Sequence, residues 1–178
     1  MLESKPTSTP MVQSSDLMLK SSCSESDSKR MLGVPYREAI GSLLFIAVRT
    51  RPDIAVAVSI LSKHVQCPRP CHWEGVKRVL RYLKGTMSMG LTYNGEDPSP
   101  ALTIYCDADW ATDPEDRHSR SGVVCFLGKN LVSWSSRKQS TPSVSSCEEE
   151  YVSLFEAGRD AVWIRSLMCE LGLCPGST

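Results

Sequence analysis

Asp107 and Glu150 are the residues whose types and spacing come nearest to a chemical site. Asp107 follows residues 101–106, where period-two alternation predicts a strand. Glu150 falls in the first turns of a helix predicted from residue 146. A carboxylate at a strand end facing a carboxylate on a helix is the beginning of a divalent-cation site. Hard cations such as magnesium take oxygen ligands and keep several of their waters. Two such ions can activate a water and stabilise the leaving oxygen of a phosphodiester. The bland alternative is that both are solvated surface charges, the usual state of acidic residues.

A second group is cationic. Lys77, Arg81 and Lys84 recur at i, i+4 and i+7 on one face of a predicted helix, with Arg78 beside them. The formal net charge of the 178 residues is zero, so the whole molecule exerts no bulk pull on nucleic acid or membrane. The charge is sorted along the chain: positive over 77–84, negative over 107–116 and again at Glu148, Glu149 and Glu150.

The elements needed to position these groups follow from the pattern. Residues 1–30 are rich in Ser, Thr and Pro, lack apolar periodicity and read as a flexible tether. Pro35 suits a first helical turn, and Ala39, Ile40, Leu43, Leu44 and Ala47 follow at helical spacing. Thr50 reads as an N-cap with Asp53 as its capping-box partner, opening a second helix through Ile54, Val58, Leu61 and Val65 that Pro68 and Pro70 stop. A third helix begins near His72, with the stripe Trp73, Val76, Leu80, Leu83, and ends at Gly85. The period then switches to two. Residues 101–106 form one strand, and residues 123–127 and 131–136 form a hairpin through Gly128, Lys129 and Asn130. A long helix follows, capped by Ser145 or Ser146. Its stripe is Tyr151, Leu154, Phe155, Gly158, Val162, Leu167, Met168 and Leu171, and Gly172 stops it.

No signal-peptide core opens the chain, and the longest apolar run, residues 43–48, is far below the roughly 20 residues that a membrane span needs. The eight cysteines therefore read as reduced thiols of an intracellular protein, cytoplasmic or nuclear, with no membrane partner. His64, Cys67, Cys71 and His72 crowd together, but their spacing fits no common zinc finger and two prolines lie among them; an inter-helix loop is expected.

Several motifs then stand in a characteristic order: Tyr105-Cys-Asp-Ala-Asp-Trp-Ala111, Asp116-Arg-His-Ser-Arg-Ser-Gly122, Val132-Ser-Trp-Ser-Ser-Arg-Lys-Gln-Ser-Thr141 and Ser145-Ser-Cys-Glu-Glu-Glu-Tyr151. Together they closely resemble the ribonuclease H domain of copia-type retrotransposon Pol polyproteins. Upstream, Pro35-Tyr-Arg-Glu-Ala-Ile-Gly-Ser-Leu43, Thr50-Arg-Pro-Asp-Ile54 and Leu80-Arg-Tyr-Leu-Lys-Gly-Thr86 resemble the segment after the polymerase palm of the same polyproteins, and Lys5-Pro-Thr-Ser-Thr-Pro10 resembles its lead-in. The resemblance covers nearly the whole chain.

The resemblance implies an α+β architecture. After the tether (1–30) comes a helical thumb- or connection-like segment at the end of the reverse transcriptase (31–96). A truncated ribonuclease H-like mixed sheet with one long helix (97–178) completes it. It implies an RNA–DNA hybrid ribonuclease with four carboxylates holding two magnesium ions. The first maps to Asp107 and the second to Glu150. Where the family pattern has Thr and Ala this chain has Cys147 and Glu149, so the choice among Glu148, Glu149 and Glu150 stays open. The third and fourth carboxylates belong to a later strand and helix beyond Thr178. The chain alone is then expected to bind magnesium weakly or not at all, and to be a deficient enzyme.

The resemblance also gives Lys77, Arg78, Arg81 and Lys84 a role: neutralising the phosphates of a hybrid or other nucleic acid without reading its sequence. The alternative for this face is plain solvation. Arg137 and Lys138, placed just past the third strand, are further candidates for the backbone. Asp109, Asp113 and Asp116 read as turn and capping residues, and Trp110, Trp134 and Trp163 as core. Two other functions compete with the nuclease: a non-enzymatic remnant that binds nucleic acid or protein, and a degraded element. The outer edge of the first strand is expected to invite self-association.

Overall fold

The computed structural model describes residues 3–12, 25–95, 101–109 and 118–173. The chain divides into two compact units, Met1–Gly90 and Leu91–Thr178. The boundary lies six residues before the expected one because Asn94 belongs to the second unit. Its N–H donates to Asn130 Oδ1 at 2.7 Å, and its carbonyl accepts from Asn130 Nδ2 at 2.8 Å.

The first unit is helical. A short helix α1 (Glu25–Met31) has acidic residues in its first turn and basic ones in its last, matching the helix dipole. Helix α2 (Tyr36–Arg49) starts after Pro35 and buries Tyr36, Ile40, Leu43 and Ala47, close to the expected stripe. A 3-10 turn (Pro52–Ile54) leads into α3 (Ala55–Ser62), and α4 (Pro70–Gly85) follows. Val76, Val79 and Tyr82 of α4 close the core against α2 and α3. Truncating a fully buried member such as Leu43 to Ala costs roughly 2–5 kcal/mol in cores of this kind. The Tyr36 hydroxyl donates to Leu61 O at 2.8 Å, tying α2 to α3.

Two details differ from the sequence reading of this unit. Thr50 is the C-terminal cap of α2, and Asp53 does not reach back to it. Asp53 instead accepts from Arg51 Nε at 2.9 Å and Nη2 at 2.7 Å and from the Tyr82 hydroxyl at 2.7 Å. A bidentate guanidinium is the stronger partner for a carboxylate, so it outcompetes a capping bond. Residues 4–9, read as part of a flexible tether, run along α4 and bond to it.

The second unit contains three strands, β1 (Leu102–Asp109), β2 (Arg120–Leu127) and β3 (Asn130–Lys138), in the order β1-β2-β3. Both pairings are antiparallel, so among the described residues the sheet is a meander rather than mixed. Gly128 takes φ 60° in the tight turn between Leu127 and Asn130, a conformation that glycine adopts freely. All three strands are longer than expected because the pairing runs on through Asp109, Arg120 and Lys138.

Helix α5 (Ser146–Glu170) lies on one face of this sheet. Gly172 at φ 72° ends it, donating to Cys169 O at 3.1 Å while Leu173 donates to Met168 O at 2.8 Å. The face it presents corrects the expected stripe. Glu149, Ser153, Ala157 and Ile164 are the buried positions, and Val123, Cys125, Leu102 and Ile104 pack with Ala157 and Ile164. Tyr151, Leu154, Phe155, Val162, Leu167 and Leu171 are exposed, as is Trp163, which was expected in the core. Small side chains let the helix backbone approach the sheet closely, a packing reason that outweighs hydrophobicity here.

Two further corrections concern cysteine and the membrane. Cys67 and Cys169 each take part in a disulfide rather than being reduced, whereas Cys71, Cys106, Cys125 and Cys147 are free. Among the described residues no single helix is long and apolar enough to cross a membrane.

Candidate functional site

Asp107 is the third-last residue of β1, opposite Gly122, and is exposed. It therefore stands within the strand rather than closing it. Its main-chain oxygen accepts a 2.8 Å hydrogen bond from Ser153 Oγ of α5. That bond ties the carboxylate-bearing strand to the first turns of the helix carrying Glu148, Glu149 and Glu150.

The three glutamates have three different environments. Ser145 is the N-cap: its hydroxyl accepts from the Glu148 N–H at 3.2 Å, and Glu148 Oε2 in turn accepts from the Val144 N–H at 2.8 Å. Glu148 is thus engaged in holding the helix start, a relative of the capping box. Glu149 is 2% exposed, and its Oε2 has no hydrogen-bond partner among the described residues. Its main chain is held as well, since Gln139 Nε2 donates to Glu149 O and to Ser121 Oγ, both at 3.0 Å. Glu150 is exposed, one helical turn before Ser153. Sequence reasoning kept Glu149 as one of three open alternatives and did not foresee its burial. Its signal was the i, i+4, i+8 series Glu149, Ser153, Ala157, a line of one charged and two small residues facing the sheet.

Asp107 and Glu150 are both exposed, on two elements that the Ser153 hydrogen bond joins. Among the described residues no group of three or more His, Cys, Asp or Glu side chains converges as a metal site. His64 and His72 stack with ring centroids 3.7 Å apart, but the disulfide removes Cys67 as a thiolate ligand. Asp109 ends β1 opposite Arg120. Burial pushes the Arg120 guanidinium below its ordinary value, and Asp109 opposes that. Trp110, Asp113 and Asp116 lie outside the described residues.

The cations of α4 are placed as the helical spacing required, but they are not bare. Lys77 pairs with Glu74. Arg78 Nη2 donates to Thr9 Oγ1 at 2.8 Å, Arg81 Nε to Lys5 O at 2.7 Å and Lys84 Nζ to Ser4 O at 2.9 Å. Arg137 and Lys138 are the last two residues of β3, opposite Ser121 and Arg120, and not in a loop beyond it. Neighbouring strand residues point to opposite faces, so these two do not form one patch.

Comparison with known proteins follows the same lines. The chain is 39% identical over 174 residues to the retrovirus-related Pol polyprotein from transposon TNT 1-94 of Nicotiana tabacum, covering 97% of this chain and 13% of that protein. It is 41% identical over 173 residues to the corresponding polyprotein from transposon RE2 of Arabidopsis thaliana, covering 97% of this chain and 11% of that protein. It is 46% identical over 134 residues to the secreted RxLR effector protein 161 of Plasmopara viticola, covering 75% of this chain and 94% of that protein. The chain thus spans about an eighth or less of the Pol polyproteins it matches. No protein-family model matches it, and no solved structure does.

Proposed function

The chain belongs to the copia-type retrotransposon Pol polyprotein family, and from that premise we propose that its second unit is the opening half of a ribonuclease H-like domain acting on RNA–DNA hybrids. In this reading Asp107 and Glu150 are its first two metal-binding carboxylates. The observation that carries it is the division of labour on α5. Glu148 caps the helix and Glu149 is buried, while Glu150 stands exposed one turn from Ser153, which bonds the Asp107 main chain. Asp107 and Glu150 would hold magnesium through oxygen. Bound there, the metal would supply an activated water and stabilisation for the leaving oxygen. Two-metal cleavage needs both ions clamped about 4 Å apart. Two carboxylates are too few for that, so the 178-residue chain taken alone does not cut hybrid.

The first unit, in the same reading, is the segment after the polymerase palm, and α4 tracks a phosphate backbone through Lys77, Arg78, Arg81 and Lys84 without reading sequence. An intracellular site, cytoplasmic or nuclear, goes with it. The test is to fuse the downstream segment of a related copia-type polyprotein after Gly172. Magnesium-dependent cleavage of hybrid should appear in the fusion and be absent from the 178-residue chain. Cleavage by the 178-residue chain itself, abolished by Asp107→Asn, would contradict the proposed deficiency.

A second reading, a non-enzymatic interaction module, is favoured by one observation. Tyr151, Leu154, Phe155, Val162 and Trp163 form an exposed apolar run along α5. A well-folded fusion that binds hybrid and never cuts it would favour this reading.

A further inference from the structure

The basic row of α4 is already occupied by acceptors from the same chain. Lys84 donates to Ser4 O, Arg81 to Lys5 O and Arg78 to Thr9 Oγ1. Thr7 Oγ1 donates to Arg78 O at 3.4 Å. Residues 4–9 therefore run antiparallel to the helix, and Pro6 within the contact and Pro10 just after it restrict their backbone. The seat for this strap is made by Gly85: a Cβ placed there would come within 2.9 Å of Pro6 Cβ.

We propose that residues 4–9 are a displaceable internal cover that competes with a nucleic-acid backbone for Arg78, Arg81 and Lys84. This rests on the reading of α4 given above. The cover presents two carbonyl oxygens and one hydroxyl to three cations. All three acceptors are neutral, whereas a phosphodiester offers charged oxygens to the same donors and bonds them more strongly. Arg78 Nε is buried with no hydrogen-bond partner among the described residues, so the cover leaves part of that guanidinium unsatisfied. A proline-stiffened segment that offers only neutral acceptors, and whose one charge is the cation Lys5, holds the row closed against weak ligands and yields to a polyanion. The apparent affinity of α4 is then reduced by the fraction of chains in which the cover is seated.

The experiment is anisotropy of a short fluorescent RNA–DNA hybrid at low salt, titrated with four full preparations. These are the parent chain, Gly85→Ala, a chain lacking residues 1–10, and the triple variant Arg78→Ala, Arg81→Ala, Lys84→Ala. Gly85→Ala unseats Pro6 without touching a cation, and alanine suits the end of a helix at least as well as glycine. The deletion keeps Met11, which packs on the core, and serves if Gly85→Ala fails to fold. Both releasing variants should bind about fivefold or more tightly than the parent. Their salt slope should match the parent's, since the same phosphates are neutralised once the cover is displaced. A free peptide of residues 3–11 should return the deletion chain to the parent's affinity. Equal affinity of the parent and both releasing variants, with binding lost in the triple variant, overturns the cover and leaves the α4 reading standing. No binding by any of the four overturns both.

Discussion

Ser153 Oγ donates to the main-chain oxygen of Asp107 at 2.8 Å, and this bond sets how closely α5 approaches β1. A neutral hydrogen bond of this kind contributes about 1 kcal/mol, while forcing extra methylenes into a tight contact costs about 1–3 kcal/mol. Ser153→Ala should therefore lower stability by about 1 kcal/mol and Ser153→Leu by clearly more, measured by urea denaturation. Equal stability of Ser153→Leu and the parent would mean the helix does not rest on the strand at this point.

Glu149 gives a substitution that should stabilise. Its buried Oε2 has no partner among the described residues, and an unsatisfied buried acceptor costs about 1–3 kcal/mol. Glu149→Ala removes that oxygen and raises helix propensity. The midpoint in urea should rise by the equivalent of 1–3 kcal/mol. A fall would show that Glu149 makes a compensating contact through its other oxygen.

His72 makes the first unit acid-sensitive in a defined window. Burial first, then the nearby His64 and Arg69, lower its pKa from 6.5 to about 4, with Asp27 opposing. The native state thus keeps the imidazole neutral where the unfolded chain protonates it. The stability this contributes is present above pH 6.5, is lost as pH falls from 6.5 to about 4, and changes no further below that. The loss should be on the order of 2–3 kcal/mol. Asp53, whose carboxyl Arg51 first and Tyr82 next hold below its ordinary 3.8, loses its share only at lower pH, so the two windows separate. His72→Gln keeps a side chain able to reach back to the Arg69 N–H, which His72 Nδ1 accepts at 3.1 Å. That variant should flatten the dependence between pH 6.5 and 4.

How much of this was legible in the sequence depends on which force decided each element. Helices α2 and α4 were readable because large apolar residues at helical spacing face the core, and Pro35, Pro70 and Gly85 mark their ends. The start and stop of α5 were readable from Ser145 and Gly172. Its orientation was not. Ranking by hydrophobicity selected Tyr151, Leu154 and Phe155, whereas the sheet accepts the narrow face of Ser153 and Ala157. Asp107 and Glu150 were nominated by motif, and the separate surroundings of Glu148 and Glu149 needed the geometry of the cap and the burial. The contact of residues 4–9 with α4 joins positions some seventy or more apart, and no local pattern announces it.

The exposed run on α5 should make the isolated chain associate. Phe155 is 72% and Trp163 64% exposed, and an apolar surface of this kind on a helix, beside a β1 edge that is unpaired among the described residues, favours contact with a second surface. Phe155→Lys with Trp163→Lys should reduce concentration-dependent sedimentation while leaving the urea midpoint within about 0.5 kcal/mol, as is usual for surface substitutions. A monomeric parent chain at all concentrations would contradict this.

The central claim, that Asp107 and Glu150 are partner carboxylates of a hybrid-cleaving site, is tested most directly by cleavage rates in the fused domain. The downstream segment of a related polyprotein is joined after Gly172, and the fusion is compared with its Asp107→Asn, Glu150→Gln, Glu148→Gln and Glu149→Ala variants under magnesium. The account predicts that Asp107→Asn and Glu150→Gln each abolish cutting while binding of hybrid persists, and that Glu148→Gln and Glu149→Ala keep it. Cutting that survives Glu150→Gln and is lost in Glu148→Gln or Glu149→Ala would contradict the assignment.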